Sequence, residues 1–292
     1  MTPPMAVNDG SDRAPRLRCD LNLGTLALLP EWSSAPTGGT EAVLAAVAAA
    51  GYEGVQGGNP ARTKAAGLRA TTSGRFLEPA EVDQAVAQWA ASGVDAATLH
   101  LGTGLEDDDA VDRLAEAVVT ASDRHRLALF VELHRATVTQ DIWRTVRLVE
   151  RHPDLRFNGD FSHWYTGLEM TYGDFDAKVA FMAPVLERVR FLHGRVSDSG
   201  CIQVPLARAG AAVEHHRRLW AESFRGFLAE AGPGDVIVFA PELLPAAINY
   251  AQTVPTDAGR VEEVDRWEEA GRLCELARQT FAEVCALSAP AA

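Results

Sequence analysis

Short apolar runs alternate with amphipathic segments along most of the chain. Runs of this length that are bounded by turn residues are typical of buried parallel strands, while apolar residues repeated every three or four positions indicate helices. The segment 107–122 shows the helical repeat in Val111, Leu114 and Val118. The pattern predicts strands over residues 16–24, 54–57, 68–72, 96–102, 127–134, 155–160, 189–196 and 235–244. It predicts helices over 40–50, 60–66, 78–92, 107–122, 141–150, 175–188, 213–231 and 261–287.

This alternation predicts the α/β class and a single (β/α)8 TIM barrel over residues 16–287. Barrels of this kind routinely exceed 200 residues in one domain, which suits a chain of 292. A doubly wound sheet is the alternative, but it requires a glycine-rich phosphate turn after the first strand. The chain has Leu23-Gly24-Thr25 there, which is not such a turn. We expect residues 1–15 to form a disordered N-terminal tail and 288–292 a C-terminal tail.

Four consecutive predicted strands end in a carboxylate or an imidazole. These residues are Glu132, Asp160, His193 and Glu242. Taken singly, each has an ordinary explanation, such as an arginine pair, a helix N-cap for Asp160 or a satisfied core histidine for His193. As a set they predict a metal site, because a buried charge is costly unless it is paired or bound to metal, and the carboxyl ends of barrel strands meet. An oxygen-rich set favours Mn²⁺, Mg²⁺ or Co²⁺, with Zn²⁺ as a further choice.

These features resemble the xylose-isomerase-like TIM barrel superfamily, with its sugar phosphate isomerase/epimerase family as the most similar branch. The motifs that carry the resemblance are Gly51-Tyr-Glu-Gly-Val-Gln56, the Glu132 strand, Asp160-x-x-His163, the His193 strand and Pro241-Glu242. The resemblance implies one divalent metal ion, with Mn²⁺ the first choice, bound by Glu132, Asp160, His193 and Glu242. It also implies that Glu132 and Glu242 are the catalytic acid/base pair and that His163 contacts a substrate oxygen.

The chain departs from the epimerase pattern at several places. Gln56 stands where those enzymes usually have a glutamate, Arg195 follows His193 by only two residues, and the loop 197–212 is longer. Other polar residues near the strand ends are candidates for substrate contact, although pocket lining and core polar networks use the same residue types. These candidates are Asn22, His100, His134, Arg135, Trp164, Arg195 and Gln203. We expect His215 and His216 at the surface of the helix 213–231.

The resemblance implies an isomerase or epimerase that acts on a sugar or a related polyhydroxylated small molecule through an enediolate. A metal-dependent lyase of the inosose or dehydroshikimate dehydratase type would use the same ligands and stays open. An apurinic endonuclease is disfavoured, because the Asp-x-His that it requires does not occur between residues 196 and 235. A barrel that binds a sugar without turnover is a further alternative.

The composition limits the partners, the reaction chemistry and the cellular compartment that we expect. A formal charge of −13 and a pI of about 5.1 argue against a nucleic-acid partner. The two lysines, Lys64 and Lys178, both fall in predicted helices, which disfavours Schiff-base chemistry. Four cysteines without a CxxC motif, no apolar signal region in residues 1–15 and no membrane-length apolar run predict a cytoplasmic protein without a membrane partner. Assembly as a homodimer or homotetramer stays open.

Overall fold

Eight parallel strands close into a barrel in the computed structural model, which describes residues 3–257 and 259–288. Each barrel strand pairs with the next along the chain, and the last pairs with the first. This arrangement confirms the predicted (β/α)8 TIM barrel. The barrel strands are β2 (Arg16–Asn22), β3 (Gly54–Gln56), β4 (Arg69–Phe76), β5 (Ala96–Leu101), β6 (Ala128–Glu132), β7 (Phe157–Asn158), β8 (Val189–Gly194) and β9 (Asp235–Pro241).

Helices surround the strands and follow the predicted positions within a few residues, apart from one short helix that the pattern does not predict. Aspartates begin several of them: the Asp107 and Asp141 side chains each accept a backbone N–H from the first turn, which satisfies a donor that the helix leaves free. The helices are α1 (Thr40–Ala49), α2 (Pro60–Ala65), α3 (Pro79–Ser92), α4 (Asp108–His125), α5 (Ile142–Arg151), α6 (Phe161–Gly167), α7 (Phe175–Leu186), α8 (Ala211–Glu230) and α9 (Arg266–Ser288).

The strands separate two kinds of core. Outward-facing residues such as Val131 pack against the helices, while Phe130 and Phe191 belong to a small apolar cluster inside the barrel. The interior also holds an ion pair between Arg18 and Asp20. A side chain at Gly54 would meet Asp20, since an added Cβ would lie 2.6 Å from its Oδ1. The polar interior therefore requires glycine at this point of β3.

Both chain ends differ from the expectation. Within the expected N-terminal tail, β1 (Val7–Asn8) pairs antiparallel with β9, because the Asn8 side chain donates to the Pro233 carbonyl and to Asp235. The predicted closing helix begins later than 261, at Arg266. The residues before it form a hairpin of β10 (Thr253–Thr256) and β11 (Gly259–Glu262). Of the expected C-terminal tail, only Ser288 lies among the described residues, where it ends α9.

The expectation that His216 lies at the surface is wrong, while His215 is partly exposed. His216 is fully buried, and its Nδ1 donates to the Ala212 carbonyl at 2.8 Å. His215 stacks on Phe175 with ring centroids 3.8 Å apart. α6 covers one side of the start of α8, with the Tyr165 ring 4.7 Å from that of His216.

The four cysteines are free thiols. Among the described residues, no helix combines the length and the apolar character needed to cross a membrane.

Candidate metal centre at the carboxyl end of the barrel

The four predicted ligands meet at the carboxyl end of the strands. Glu132 ends β6, Asp160 precedes α6, His193 lies in β8 and Glu242 follows β9. One ligand atom from each lies within 4.8 Å of the other three. Glu132, Asp160 and His193 are almost completely buried. Parallel strands that end at one rim therefore bring together residues up to 110 positions apart in the chain.

His193 points one ring nitrogen at the carboxylates. Its Nδ1 lies 3.5 Å from Glu132, 3.7 Å from Glu242 and 3.9 Å from Asp160. Its Nε2 lies 2.7 Å from Oε1 of Gln56. An amide oxygen only accepts, so Nε2 carries a proton, while Nδ1 faces the carboxylates and lies 3.1 Å from Asn158 Nδ2. Metal-binding histidines commonly have this arrangement, with the second nitrogen donating to a fixed partner.

The charge on His193 responds to the same carboxylates. Burial acts to lower the pKa of its imidazole, but Glu242, Glu132 and Asp160 outweigh burial and raise that pKa to about 9. A cation that takes the Nδ1 lone pair at neutral pH must therefore displace a proton.

Three amide side chains hold the ligands in position. Asn22 donates to Gln56 Oε1 at 2.8 Å and to Glu242 Oε1 at 2.9 Å. Asn158 donates to Glu132 Oε2 at 3.0 Å. Sequence reasoning treated Gln56 as a lost glutamate and overlooked Asn158. The signal for Asn158 was its position two residues before Asp160, which puts both on the same face of an extended segment.

Glu132 has a buried oxygen with no hydrogen-bond partner. Its Oε1 lies 2.8 Å from His100 Nε2, but neither atom makes a hydrogen bond of acceptable geometry. Burial acts to raise the pKa of the Glu132 carboxyl, and the neighbouring His193 and His100 outweigh it and hold the pKa well below its usual range. The carboxylate is therefore ionised, and its unsatisfied buried oxygen has a lone pair left for a cation.

Arg195 is the buried positive charge beside the ligands. Its Nη2 contacts Asp160 Oδ2, its Nη1 lies 3.3 Å from Glu242 Oε2, and its Nε donates to Ser162 at 3.0 Å. Burial acts to raise the pKa of Asp160, but Arg195 outweighs it and lowers that pKa. Together, the Arg195 guanidinium and a protonated His193 still carry less positive charge than the three carboxylates carry negative charge. The donor set and the excess negative charge therefore fit a divalent cation.

The other predicted contact residues differ in what their polar atoms do. His163 Nδ1 is buried and has no hydrogen-bond partner, so it could bind a ligand atom. Trp164 Nε1 instead donates to the Thr139 carbonyl at 2.7 Å. Gln203 exchanges two hydrogen bonds with the Leu244 backbone, which ties the loop 197–212 to the segment after β9. The structure thus places His163 at the centre and uses the polar atoms of Trp164 and Gln203 elsewhere.

Comparisons with known proteins bear on the fold. No protein-family model and no curated protein matches the sequence. Among solved structures, a xylose isomerase-like TIM barrel protein from Mycobacterium smegmatis in complex with magnesium matches with a TM-score of 0.52 and 12% identity, over 93% of this chain and 98% of that one. D-allulose 3-epimerase from Methylomonas sp. in complex with D-allulose also matches with a TM-score of 0.52, at 14% identity, over 93% of this chain and 100% of that one. The probable 3-DHS dehydratase from Bacillus anthracis matches with a TM-score of 0.52 and 11% identity, over 94% of this chain and 100% of that one.

The chain has the xylose isomerase-like fold. A cavity of about 750 Å³ lies among the loops that follow β8 and β9, and none of the four predicted ligands is among its lining residues. Arg135, Arg208, Arg260 and Tyr250 are among its lining residues. The Tyr250 ring centroid lies 4.8 Å from the Arg195 guanidinium carbon, so this side chain contacts the centre and lines the cavity. Sequence reasoning missed Tyr250 because it lies in an irregular segment without periodicity.

Proposed function

We propose that the protein is a divalent-metal-dependent isomerase or epimerase of a sugar or a related polyhydroxylated small molecule. The observation that carries the proposal is the convergence of Glu132 and Glu242 with Asp160 and His193 at one buried point. Magnesium in one structural neighbour and D-allulose in another support a divalent ion and a sugar ligand. Mn²⁺ is our first choice of ion, with Mg²⁺, Co²⁺ and Zn²⁺ as alternatives.

Each ligand has a proposed part in binding the ion. Glu132, Asp160 and Glu242 supply oxygen, and His193 supplies Nδ1, whose direction Gln56 fixes. When bound, a divalent ion would polarise a substrate carbonyl and stabilise the negative charge of an enediolate.

Proton transfer is the proposed task of the two glutamates. Glu132 is held ionised, so its carboxylate is in the form that can accept a proton from the carbon next to a carbonyl. Glu242 reaches the same point from the end of β9. Its side chain is 16% exposed, whereas that of Glu132 is 2% exposed, so the Glu242 carboxylate is the more open of the two. We assign to Glu242 the return of the proton. The unpartnered Nδ1 of His163 and the guanidinium of Arg195 are proposed substrate contacts.

The cavity beside the centre suits a small polar molecule. Its volume of about 750 Å³ lies within the usual range for small-molecule sites. Tyr250 provides a ring on which the apolar face of a sugar can lie. The formal charge of −13 disfavours nucleic acid as a substrate. We also propose a cytoplasmic protein without a membrane partner, and sedimentation velocity would test the predicted homodimer or homotetramer.

Deuterium incorporation from D2O tests the reaction class. The Mn²⁺-loaded protein is incubated with a panel of ketoses, inososes and their phosphates, and the products are analysed by NMR. We expect deuterium at the carbon next to the carbonyl without loss of water. A reaction that incorporates deuterium and eliminates water would make the protein a lyase, the reaction class of the neighbouring dehydratase. Absence of exchange across the whole panel at full metal occupancy would contradict the proposal.

A further inference from the structure

Three histidines pack side by side at the mouth of the barrel. The ring centroids of His100 and His134 are 4.4 Å apart, and those of His134 and His163 are 3.8 Å apart. His100 comes from β5 and His134 follows β6, so two neighbouring strands build the pair. Protonated imidazoles this close would repel each other, and neutral ones present lone pairs. Neutral imidazoles beside a carboxylate are a common metal-binding combination.

The Glu132 carboxylate faces this pair as well as the first centre. Its Oε2 accepts from Asn158 and lies 3.5 Å from His193. Its Oε1 lies 2.8 Å from His100 Nε2, and both atoms are buried without an acceptable hydrogen bond. The two oxygens therefore point toward two different sets of ligands. A carboxylate in this position can bridge two cations.

His134 has one ring nitrogen already engaged. Its Nδ1 contacts the carbonyl of Arg135, and a carbonyl only accepts, so the network assigns the proton to Nδ1. The lone pair is then on Nε2. One ligand atom from each of His100, Glu132 and His134 lies within 4.8 Å of the other two. An imidazole whose first nitrogen is held by a backbone carbonyl has the arrangement that orients metal-binding histidines.

We propose that His100, His134 and Glu132 form a second divalent-cation site that shares Glu132 with the first centre. Two imidazoles and one carboxylate suit Zn²⁺, Mn²⁺ or Co²⁺, and three protein ligands leave a coordination position for water or a substrate oxygen. His100 and His134 then act as ligands instead of contacting the substrate directly. The inference rests on the proposed function in that its Glu132 also belongs to the first centre.

Metal counting tests the second site without a substrate. The full-length protein is stripped with chelator, reloaded with Mn²⁺, desalted and analysed for metal. We expect two ions per chain in the unaltered protein and one in His100→Gln and in His134→Gln. The lost ion should bind at least about 100-fold more weakly, because removal of an outer partner of a metal ligand already costs 10–100-fold. Circular dichroism verifies that both variants fold.

His152→Gln is the matched control. His152 Nε2 also lies 2.9 Å from a carboxylate, that of Asp112, but this pair makes a hydrogen bond. This variant should keep both ions. Electron paramagnetic resonance gives an independent readout, since two Mn²⁺ ions bridged by Glu132 should show a spin-coupled signal that both site variants lose.

The outcomes separate this inference from the proposed function. A single ion in the unaltered protein, lost in His193→Gln, would overturn the second site and leave the first. A second ion that persists in both His100→Gln and His134→Gln, or that shows no spin coupling, would also overturn it. Two coupled ions without deuterium exchange on any substrate would support the second site and contradict the proposed reaction.

Discussion

Two buried clusters of charged residues lie within the barrel, and they differ in how completely they are paired. In the interior, Arg18 makes a two-point contact with Asp20 at 2.9 and 2.8 Å and a third bond with Asp95 at 2.9 Å. At the mouth, Arg195 is shared between Asp160 and Glu242. Every guanidinium nitrogen of Arg18 has a carboxylate partner. In the mouth cluster, which consists of Arg195 and the four predicted ligands, Oε1 of Glu132 is buried without a hydrogen-bond partner.

The difference separates a cluster whose charges are paired with one another from one that could bind a cation. Buried charges persist when their partners saturate them, and such a cluster has little left to offer a ligand. The mouth cluster has three carboxylates for one guanidinium and one imidazole, and its excess negative charge and its unsatisfied carboxylate oxygen are what a cation requires. Burial of a carboxylate alone would not distinguish the two, since Asp20 and Asp160 are both fully buried.

The largest expected effect is on turnover. Glu132→Gln and Glu242→Gln each keep the side-chain shape but cannot transfer a proton in the same way. At saturating metal, we expect kcat to fall by about 10²–10⁴-fold, the usual contribution of a positioned acid or base. Steady-state assays with the substrate that exchanges deuterium measure this change, and circular dichroism confirms the fold. Turnover near the original rate in either variant would remove that residue from the acid/base pair.

Asp20→Asn should lower the stability of the protein and leave its turnover unchanged. Removal of the charge leaves Arg18 buried with only Asp95, and breaking a buried ion pair in this way costs about 3–5 kcal/mol. Thermal unfolding should shift downward on the order of 10 °C. Metal content and kcat of the folded variant should stay unchanged. Loss of bound metal from Asp20→Asn at a temperature where it is folded would break the distinction between the two clusters.

The sequence was sufficient for the barrel and for the convergence of the four candidate ligands, because both depend on local patterns. Apolar runs ending in Glu132 or His193 are visible without tertiary contacts, and parallel strands must end at one rim. The pairing of charges was not predictable in the same way. Arg18 lies in β2 and Arg195 directly follows β8, yet how fully each is paired depends on Asp95 and Glu242, which are distant in sequence.

Packing and long-range contacts also explain why the sequence led to the wrong expectation for some residues. His216 lies on a polar helix, and its burial follows from the packing of α6 and of the segment after β8, which no period in the sequence encodes. Gln56 looked like a lost acid because its contacts with His193 and Asn22 come from other strands. Local patterns therefore fix which residues reach the rim, and long-range contacts determine what each one does there.

His216 provides a test of acid sensitivity outside both clusters. Burial lowers the pKa of its imidazole to about 4, from 6.5 in the unfolded chain. The unfolded state therefore binds this proton at a higher pH than the folded state, and stability falls as the pH drops from about 6.5 to about 4. His216 should contribute up to about 3 kcal/mol of this loss.

Urea unfolding of His216→Gln at several pH values measures that contribution. We expect a flatter dependence of the free energy of unfolding on pH between about 6.5 and 4 than in the unaltered protein. Trp220→Phe, one turn further along α8, has no titrating group and should lower stability by a similar amount at every pH. An unchanged slope in His216→Gln would mean that the carboxylate clusters account for the acid sensitivity.

The smallest expected effect is on metal affinity, and it concerns Gln56, which orients His193 without being a ligand itself. Gln56→Leu removes the acceptor of His193 Nε2–H, so the imidazole can rotate or change tautomer. Affinity for the first ion should fall by about 10–100-fold, as it does when other outer partners of metal ligands are removed. Calorimetric titration with Mn²⁺ measures the change. Thr71→Val is the control, because this buried hydroxyl donates only to the Val55 carbonyl and should leave the affinity unchanged. Equal affinity in Gln56→Leu would mean that the carboxylates alone orient His193, and the amide network would then resemble the saturated interior cluster in being structural.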